Sequence, residues 1–349
     1  MAYKFFRNPK KIFIFLFGIL VLGVCFFTYN KISCVKAMEE EEKEFIKYAE
    51  FNVTYPALES AMKYDIESHN DEIKLNWIEL LAYLGAKYGG DFKSYKESDM
   101  SDVVNRLKDG EKIEDVTKDM KYYDYYNKVY SAVLSGLLGE YSIKKTNNEN
   151  EEGEWQECYG LKGFSPIAKT FPYSHGDDFG ASRTYGYKRR HLGHDMMAAT
   201  GSPVIAVESG VVEILGWNQY GGWRIGIRSF DKLRYYYYAH LRQNRPYHAD
   251  IAEGKIVKAG DVIGYVGRTG YSANENTNNI ECSHLHIGLE LVFDESQKES
   301  NNEIWVDLYN ITKLLEKNKS SVLRVSETKE FYREFDFTEP CLNDIEAKQ

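Results

Sequence analysis

The chain has 349 residues, of which 43% are hydrophobic and 15% aromatic, and this composition excludes an intrinsically disordered protein. Its formal net charge is −9 and no long basic run follows the N-terminus, which argues against a nucleic-acid partner. The length allows two domains with additional segments.

The N-terminal segment, residues 1–35, predicts a basic cytoplasmic tip followed by a membrane anchor. Four basic residues precede residues 12–29, which are eighteen residues without a charge. Crossing the hydrocarbon core of a bilayer takes roughly 17–25 residues. Basic residues before this run and the acidic run 39–42 after it place the N-terminus in the cytoplasm and the rest outside the cell. A cleaved signal peptide is the alternative, since residues 35–37 resemble a cleavage site.

Residues 36–143 are predicted to form a small all-helical domain. The sequence Thr54-Tyr55-Pro56 is typical of a helix start, because proline is tolerated in the first turn. Two stripes of apolar residues then recur at three- and four-residue spacing, which predicts buried helix faces. The first stripe runs from Ile73 to Tyr88 and the second from Met120 to Leu138. This domain would lift or regulate the rest of the protein, and it is where a protein partner could bind.

Residues 144–155 are rich in Asn, Glu and Lys and predict a polar linker, after which the pattern changes to short β-rich segments. These segments, punctuated by glycine turns, predict a mostly antiparallel β domain over residues 156–325, so the expected fold class is multidomain α+β. A helix near the end of this domain would close it, and the charged tail 326–349 is expected to be loosely ordered. The strand candidates and the helix are Val204–Val207, Gly210–Leu215, Trp223–Arg228, Arg234–His240, Val262–Val266, His284–Val292 and Leu308–Leu315.

The five cysteines, Cys25, Cys34, Cys158, Cys282 and Cys341, are spread thinly along the chain. None forms a Cys-x-x-Cys pair, so a structural zinc cluster or a redox motif is not supported. Isolated thiols are the expected state, and an extracellular Cys158–Cys282 disulfide remains the alternative.

The most informative pattern combines His191-x-x-x-Asp195 with His284-Leu285-His286. Two imidazole nitrogens and a carboxylate around one open position are the ligand set of a hydrolytic zinc rather than a structural one. In a strand, side chains alternate between faces, so His284 and His286 would share a face. One could hold the metal while the other handles protons. Gly193, inside the first motif, favours a loop running into a strand over a helix.

Several motifs occur in the order seen in lysostaphin/LytM-type zinc endopeptidases, which residues 165–295 resemble. The resemblance implies an antiparallel sheet with a groove between loops, and a zinc cofactor. The motifs are Phe179-Gly180, Arg183, His191-x-Gly193-x-Asp195, Gly201-x-Pro203-Val204, Gly210-Val211-Val212, Tyr238-Ala239-His240-Leu241, Gly260-Asp261-x-Ile263-Gly264, Thr269-Gly270 and His284-Leu285-His286.

The same resemblance implies a role for each matching residue. His191, Asp195 and His286 would be the zinc ligands. His240 and His284 would flank the open position, deprotonating the attacking zinc-bound water and stabilising the oxyanion. The substrate implied is a peptide cross-link or stem peptide of bacterial peptidoglycan. A scaffold that binds another membrane or wall protein without hydrolysis is the alternative, followed by a peptidase that cuts proteins rather than the wall.

Three further residues are weaker candidates for substrate or supporting contacts. Arg189 lies two positions before His191, and His194 is adjacent to the predicted ligand Asp195. Strand alternation points Tyr238 the same way as His240, which would allow a place near the site, but a structural wall is the favoured interpretation. The loop 271–283 is longer and richer in asparagine than is typical of the family, so it could shape one rim of the groove. The remaining histidines, predicted to lie on the surface, are His69, His175 and His248.

Overall fold

The computed structural model describes residues 46–145, 153–298 and 300–346. The predicted anchor over residues 12–29 lies outside these residues, as do positions 146–152 of the predicted linker. Among the helices within the described ranges, none combines the length and apolar composition that a membrane span requires. The described residues from Lys47 onwards form one compact unit.

The N-terminal part of this unit is helical, as predicted. Asn76 caps the second helix by accepting from the backbone N–H groups of Ile78 and Glu79, and Gly89 ends it in a left-handed conformation. Ile73 is 37% exposed, contrary to its predicted place on the buried stripe, because it precedes this cap. The helices are α1 (Tyr55–Ser68), α2 (Trp77–Tyr88), α3 (Glu97–Lys108), α4 (Ile113–Thr117) and α5 (Tyr123–Leu134), with a short 3-10 turn over Phe92–Ser94.

The rest of the unit is mostly antiparallel β structure, which confirms this part of the predicted fold class. The strands are β1 (Leu138–Lys145), β2 (Trp155–Leu161), β3 (Tyr173–His175), β4 (Ser182–Arg183), β5 (Arg189–Arg190), β6 (His194–Ala198), β7 (Pro203–Ile205), β8 (Gly210–Asn218), β9 (Gly222–Ser229), β10 (Arg234–Ala239), β11 (Ile256–Val257), β12 (Val262–Tyr265), β13 (His284–Leu291), β14 (Ile304–Val306), β15 (Val322–Arg324), β16 (Phe331–Arg333) and β17 (Phe335–Thr338). A 3-10 turn (Glu295–Gln297) and helices α6 (Tyr309–Leu315) and α7 (Pro340–Glu346) complete the described elements. All six predicted strands and the predicted closing helix are present, with ends shifted by a few residues.

The main sheet has the strand order β11-β8-β9-β10-β13-β6-β3, with β14 paired to β13. Its register places His286 opposite both Asp195 and Ala239. Because side chains alternate, one face carries Asp195, His286 and Tyr237, and we call it the groove face. The other, the core face, carries apolar residues such as Leu289 and packs towards α5 and α6 around a small internal cavity.

Two glycines let aromatic rings approach the groove face closely. A Cβ on Gly226 would lie 2.0 Å from the Tyr235 hydroxyl oxygen, and one on Gly288 would lie 2.5 Å from the Trp305 ring. Neither distance is sterically possible, so only glycine allows these rings to cover the strands. The rings provide an aromatic floor beside the predicted metal ligands.

A second sheet corrects two expectations drawn from the sequence. Its order is β17-β1-β2, all antiparallel. The second helical stripe was predicted to reach Leu138, but the helix ends at Leu134 and Leu138 opens β1. The tail was predicted to be loosely ordered, but β17 pairs with β1 and Phe337 is only 1% exposed. The tail is ordered because Phe335 and Phe337 pack against Phe164. The many charged residues of the tail had suggested disorder and drew attention away from these phenylalanines.

Buried polar contacts join the helical region to the strands. The Arg234 guanidinium donates to both carboxylate oxygens of Glu208, at 2.7 and 2.9 Å, and to the backbone carbonyl of Ala132 at 2.8 Å. On the other sheet, the Tyr159 hydroxyl donates to Asp65 at 2.6 Å. The predicted domain boundaries at residues 143 and 156 stay predictions, since strands β1 and β2 run across the ends of the predicted linker.

The described cysteines, Cys158, Cys282 and Cys341, are free thiols. Their state agrees with the expectation of isolated thiols, and the alternative Cys158–Cys282 disulfide is not formed.

Candidate metal centre and active site

Three side chains converge from two adjoining strands and the loop before one of them. Asp195 is the second residue of β6, His286 is the third residue of β13, and the sheet register places them side by side. His191 lies in the loop before β6, where its N–H donates to the carbonyl of Ala181 and its own carbonyl accepts from Gly180. The prediction of a loop running into a strand is therefore confirmed.

The ligand atoms of these residues form a tight triangle. His191 Nε2 lies 3.0 Å from Asp195 Oδ1 and 2.9 Å from His286 Nδ1, and the latter two atoms are 3.0 Å apart. Ligands about 2.0–2.2 Å from a tetrahedral zinc lie roughly 3.3–3.5 Å from one another, so a shift of a few tenths of an ångström would admit the ion. Among the described residues this is the one group of three acidic, histidine or cysteine side chains close enough to share a metal.

Hydrogen bonds and burial set the protonation that metal binding needs. His191 Nδ1 lies 3.1 Å from the backbone carbonyl of Asp178 and donates to it, which leaves the Nε2 lone pair directed at the triangle. Burial lowers the pKa of His286, with partial opposition from Asp195, and favours a neutral ring. Burial alone would raise the pKa of Asp195, but the close contacts of its carboxylate with the His191 and His286 rings outweigh this effect and hold that pKa far below its usual range. The donor set, neutral imidazoles and a carboxylate, fits zinc.

Arg183 holds the other oxygen of the carboxylate. Its Nη2 donates to Asp195 Oδ2 at 3.0 Å and to Asp178 Oδ2 at 2.7 Å. Oδ1 of Asp195 is thereby left facing the two histidines. The sequence offered Arg183 as a motif residue without a role, and its role in orienting a ligand emerges only from the folded arrangement.

His240 and His284 flank the triangle with similar orientations. Each Nδ1 lies 2.9 Å from a backbone carbonyl, that of Thr269 for His240 and that of Cys282 for His284, so each Nδ1–H donates there. Both Nε2 atoms therefore carry lone pairs. His284 Nε2 lies 3.7 Å from Asp195 Oδ1, and the two flanking rings are 4.8 Å apart between centroids. Burial, followed by the neighbouring histidines, holds the pKa of His240 well below its usual value, so this ring is a neutral proton acceptor.

Gly193 is needed because His286 packs directly against it. A Cβ at this position would lie 2.5 Å from the His286 ring atoms Cε1 and Nε2 and 2.9 Å from the Ile287 carbonyl oxygen. Any other residue would displace a predicted ligand, which explains the glycine between His191 and Asp195.

Tyr238 does not lie where strand alternation predicted. It is fully buried on the core face, and its hydroxyl accepts from the Val207 N–H at 3.0 Å. Tyr237 lines the groove instead, with its ring 5.9 Å from that of His286. The prediction failed because His240 has a φ of 59° and so leaves the strand geometry on which the alternation was counted.

The other histidines also differ from expectation. His194 points away from Asp195 onto the core face, where its Nε2 lies 2.7 Å from His175 Nδ1. Burial, with His175 next, lowers the pKa of His194 to about 3. His175 also contacts Glu316, and His69 stacks on Tyr159, so both are half-buried rather than free on the surface. The surface prediction for His248 is wrong, since this residue is 4% exposed.

The site opens into a groove of about 370 Å³ on the groove face. Arg189, predicted as a substrate contact, lies in its wall with Tyr220 and Tyr271. Tyr271 opens the long asparagine-rich loop, which therefore forms part of one rim. Asn276 fixes that loop by accepting from the Trp223 indole N–H at 2.9 Å and from the Asn244 backbone N–H at 2.8 Å.

Comparisons with known proteins agree with this geometry. Residues 189–300 match the family described as Peptidase family M23. The chain is 40% identical over 124 residues to an L-Ala–D-Glu endopeptidase of Bacillus subtilis (strain 168), which covers 36% of either chain. It is 37% identical over 146 residues to the glycyl-glycine endopeptidase ALE-1 of Staphylococcus capitis, 42% of this chain and 33% of that protein. The matched segments thus span about a third of the length of these curated relatives.

A solved structure, the catalytic domain of lysostaphin from Staphylococcus simulans, is 30% identical to this chain. The superposition covers 40% of this chain and 92% of that domain, with a TM-score of 0.31.

Proposed function

We propose, from the Peptidase family M23 domain in this chain, that the protein is a zinc-dependent endopeptidase acting on peptides of bacterial peptidoglycan. The observation that carries the proposal is the triangle of His191, Asp195 and His286, flanked by two further histidines with free lone pairs. A structural zinc would need four protein ligands, whereas three ligands leave room for a substrate.

The residues of this chain divide the chemistry between them. A zinc ion bound by the three ligands would supply a Lewis acid that polarises a carbonyl and lowers the pKa of water to about 7. His240, held neutral by burial, would take a proton from the attacking water. His240 would then pass that proton to the leaving amine. His284, whose Nε2 lies 3.7 Å from Asp195 Oδ1, would stabilise the developing oxyanion through an Nε2–H donor when its ring is protonated.

The shape of the groove suits an extended peptide. A second cavity, of about 590 Å³, shares Arg190, Leu192, Glu303 and Trp305 with the first, so the two cavities adjoin along these residues. The relatives named L-Ala–D-Glu endopeptidase and glycyl-glycine endopeptidase cut two different peptide bonds, and both bond types are candidates here. The proposed location is the outer side of the cell membrane, with residues 12–29 as the anchor.

The test uses full-length protein in detergent, loaded with zinc and incubated with purified peptidoglycan. We expect one zinc per chain and the release of soluble peptide fragments. His286→Ala should lose both, whereas Cys341→Ala, remote from the site, should retain both. A wild-type protein that binds zinc but releases no fragment, and that instead retains a protein partner, would favour the scaffold alternative. Full activity in His286→Ala would contradict the proposal.

A further inference from the structure

The groove carries positive charge that the metal centre does not use. Besides Arg183, three arginines line it, Arg189, Arg190 and Arg224, in a protein whose net charge is −9. Lys298, Glu290 and Glu303 also lie in its wall. Among the arginine ion pairs within residues 46–145, 153–298 and 300–346, none involves Arg189, Arg190 or Arg224. Isolated cations that face one groove attract an anionic ligand, because field lines concentrate in a cleft with low-dielectric walls.

Arg189 is the most tightly placed of the three. It pairs with Arg183 across the β4–β5 hairpin, and its Nη1 donates to the Tyr185 carbonyl at 2.8 Å. Its guanidinium carbon lies 5.0 Å from the Tyr220 ring centre and 5.2 Å from that of Tyr271. Such cation–π contacts hold the charge in one position without neutralising it.

The aromatic residues around Arg189 are themselves fixed. Tyr185 stacks on Tyr271 with ring centres 4.8 Å apart and planes at 14°, and Tyr220 packs edge-on against Tyr185. Tyr271 also contacts His240, at 5.8 Å between ring centres. The guanidinium and the proposed proton acceptor therefore both contact the ring of Tyr271.

The floor of the groove adds a buried donor without a partner, on Arg224. Arg224 lies on the groove face near the hydroxyls of Tyr235 and Tyr237, which feel its charge. Its Nε is buried and has no hydrogen-bond partner among the described residues. A buried N–H without a partner costs free energy, and a bound carboxylate or phosphate would satisfy it. Because the substrate proposed is a peptide, the carboxylate is the relevant anion.

We propose that Arg189, held between Tyr220 and Tyr271, binds a free carboxylate on the residue next to the cleaved bond. The substrate is then an acidic peptide, such as one cut at an L-Ala–D-Glu bond, rather than a neutral glycine bridge. This inference rests on the proposed function and specifies its substrate class. Arg189 is a specificity-determining residue in this scheme and takes no part in bond cleavage.

The experiment compares three synthetic peptides with the full-length, zinc-loaded protein. The first contains an L-Ala–D-Glu bond with the free glutamyl carboxylate, the second is identical except that this carboxylate is amidated, and the third is pentaglycine. We expect kcat/KM for the first to exceed that for the second by about tenfold or more, the usual value of a charge-assisted hydrogen bond. In Arg189→Gln this ratio should fall towards one through a higher KM, with little change for the amidated peptide.

Two further variants separate recognition from general effects. Arg189→Lys keeps the charge but loses the planar donor fork and should retain part of the preference. Arg324→Gln makes the same charge change on the exposed strand β15 and should leave all three peptides unaffected. Zinc content is measured for every variant, so that damage to the metal centre is recognised. Equal rates for the first two peptides in the wild type, or an equal loss for both in Arg189→Gln, would overturn the inference.

Binding measured by calorimetry distinguishes this inference from the proposed function. One outcome is that no peptide is cut but the peptide with the free carboxylate binds more tightly, and that this preference depends on Arg189. This outcome would support carboxylate recognition and contradict the proposed endopeptidase function. If pentaglycine or the amidated peptide is cut at the same rate as the first peptide, this result would support the endopeptidase function and contradict carboxylate recognition. Equal binding of the first two peptides with no hydrolysis contradicts both.

Discussion

The two faces of the main sheet each bury a cluster of charged groups, and the clusters differ in how their hydrogen-bonding capacity is used. On the core face, the five N–H donors of Arg234 meet five acceptors, two on Glu208 and one each on Ala132, Ser135 and Asp231. On the groove face, Asp195 Oδ1 and two ring nitrogens point at one another from within 3.0 Å.

The difference lies in the number of protons available. The Arg234 cluster is closed, because every donor is matched and nothing is left for a ligand. In the triangle, the ring proton of His191 is engaged by Asp178, so acceptors outnumber donors. A cation would satisfy this excess, which is why the open cluster indicates a metal site and the closed cluster indicates a structural role.

The largest expected effect comes from removing the charge of the open cluster. Asp195→Asn keeps the side-chain shape but removes the anionic ligand, so peptidase activity should fall on the order of a thousandfold and zinc should be lost. The melting temperature of metal-free protein should change by only a few degrees, because Arg183 retains Asp178 as a partner. Activity assays, metal analysis and thermal unfolding check this. Retained zinc at one per chain would show that the cluster is not the site.

The closed cluster should respond in the opposite way. Arg234→Met leaves Glu208 buried without its partner, so the free energy of unfolding should fall by about 3–5 kcal/mol. The folded fraction should still bind zinc and cut substrate at the wild-type rate. Replacing both residues, as Arg234→Met with Glu208→Leu, should restore much of the stability, because no charge then remains buried. Urea unfolding of both variants provides the measurement. A loss of turnover without a loss of stability would contradict the structural role assigned to the Arg234 cluster.

The sequence predicted the open cluster well and the closed one not at all. His191, Asp195 and His286 belong to ordered motifs with fixed spacing, and the strands that carry them have clear apolar patterns. Arg234 and Glu208 lie 26 positions apart with no motif, and their third partner, Ala132, contributes only a backbone carbonyl. Pairing of this kind depends on tertiary packing, so no local pattern reveals it.

The errors elsewhere have physical causes of the same type. Strand β17 pairs with β1 about two hundred positions earlier, and a short charged segment such as Phe335–Thr338 gives no sign of a distant partner. Tyr238 was assigned to the wrong face because one residue of positive φ, His240, interrupts the alternation. Rules of local periodicity hold only while the backbone keeps one geometry.

A smaller effect on stability should arise from the protonation of His194. This side chain lies on the core face although the residue is adjacent to Asp195. Its pKa is lowered to about 3 in the folded protein, against about 6.5 when unfolded, so between these pH values only the unfolded state takes the proton. Stability must therefore fall as pH drops through this window. Between pH 6.5 and 4.5, the free energy of unfolding of the metal-free protein should decrease by about 1–2 kcal/mol less in His194→Asn than in the wild type. Urea unfolding at both pH values measures this difference. Identical pH dependence in the two proteins would show that His194 is not the group whose burial makes stability depend on pH.

The smallest expected effects separate the two faces at neighbouring positions of one strand. Tyr238→Phe leaves the buried Val207 N–H without its acceptor, so stability should fall by about 1–2 kcal/mol with unchanged turnover. The Tyr237 hydroxyl accepts a long bond, 3.4 Å, from Asn218, and the loss of this bond should change stability by less than about 0.5 kcal/mol. Because that hydroxyl lines the groove, Tyr237→Phe should instead slow peptide cleavage by roughly two- to tenfold. Unfolding and kinetic measurements on both variants test this assignment. Tyr238→Phe should change stability but not turnover, and Tyr237→Phe should change turnover but not stability.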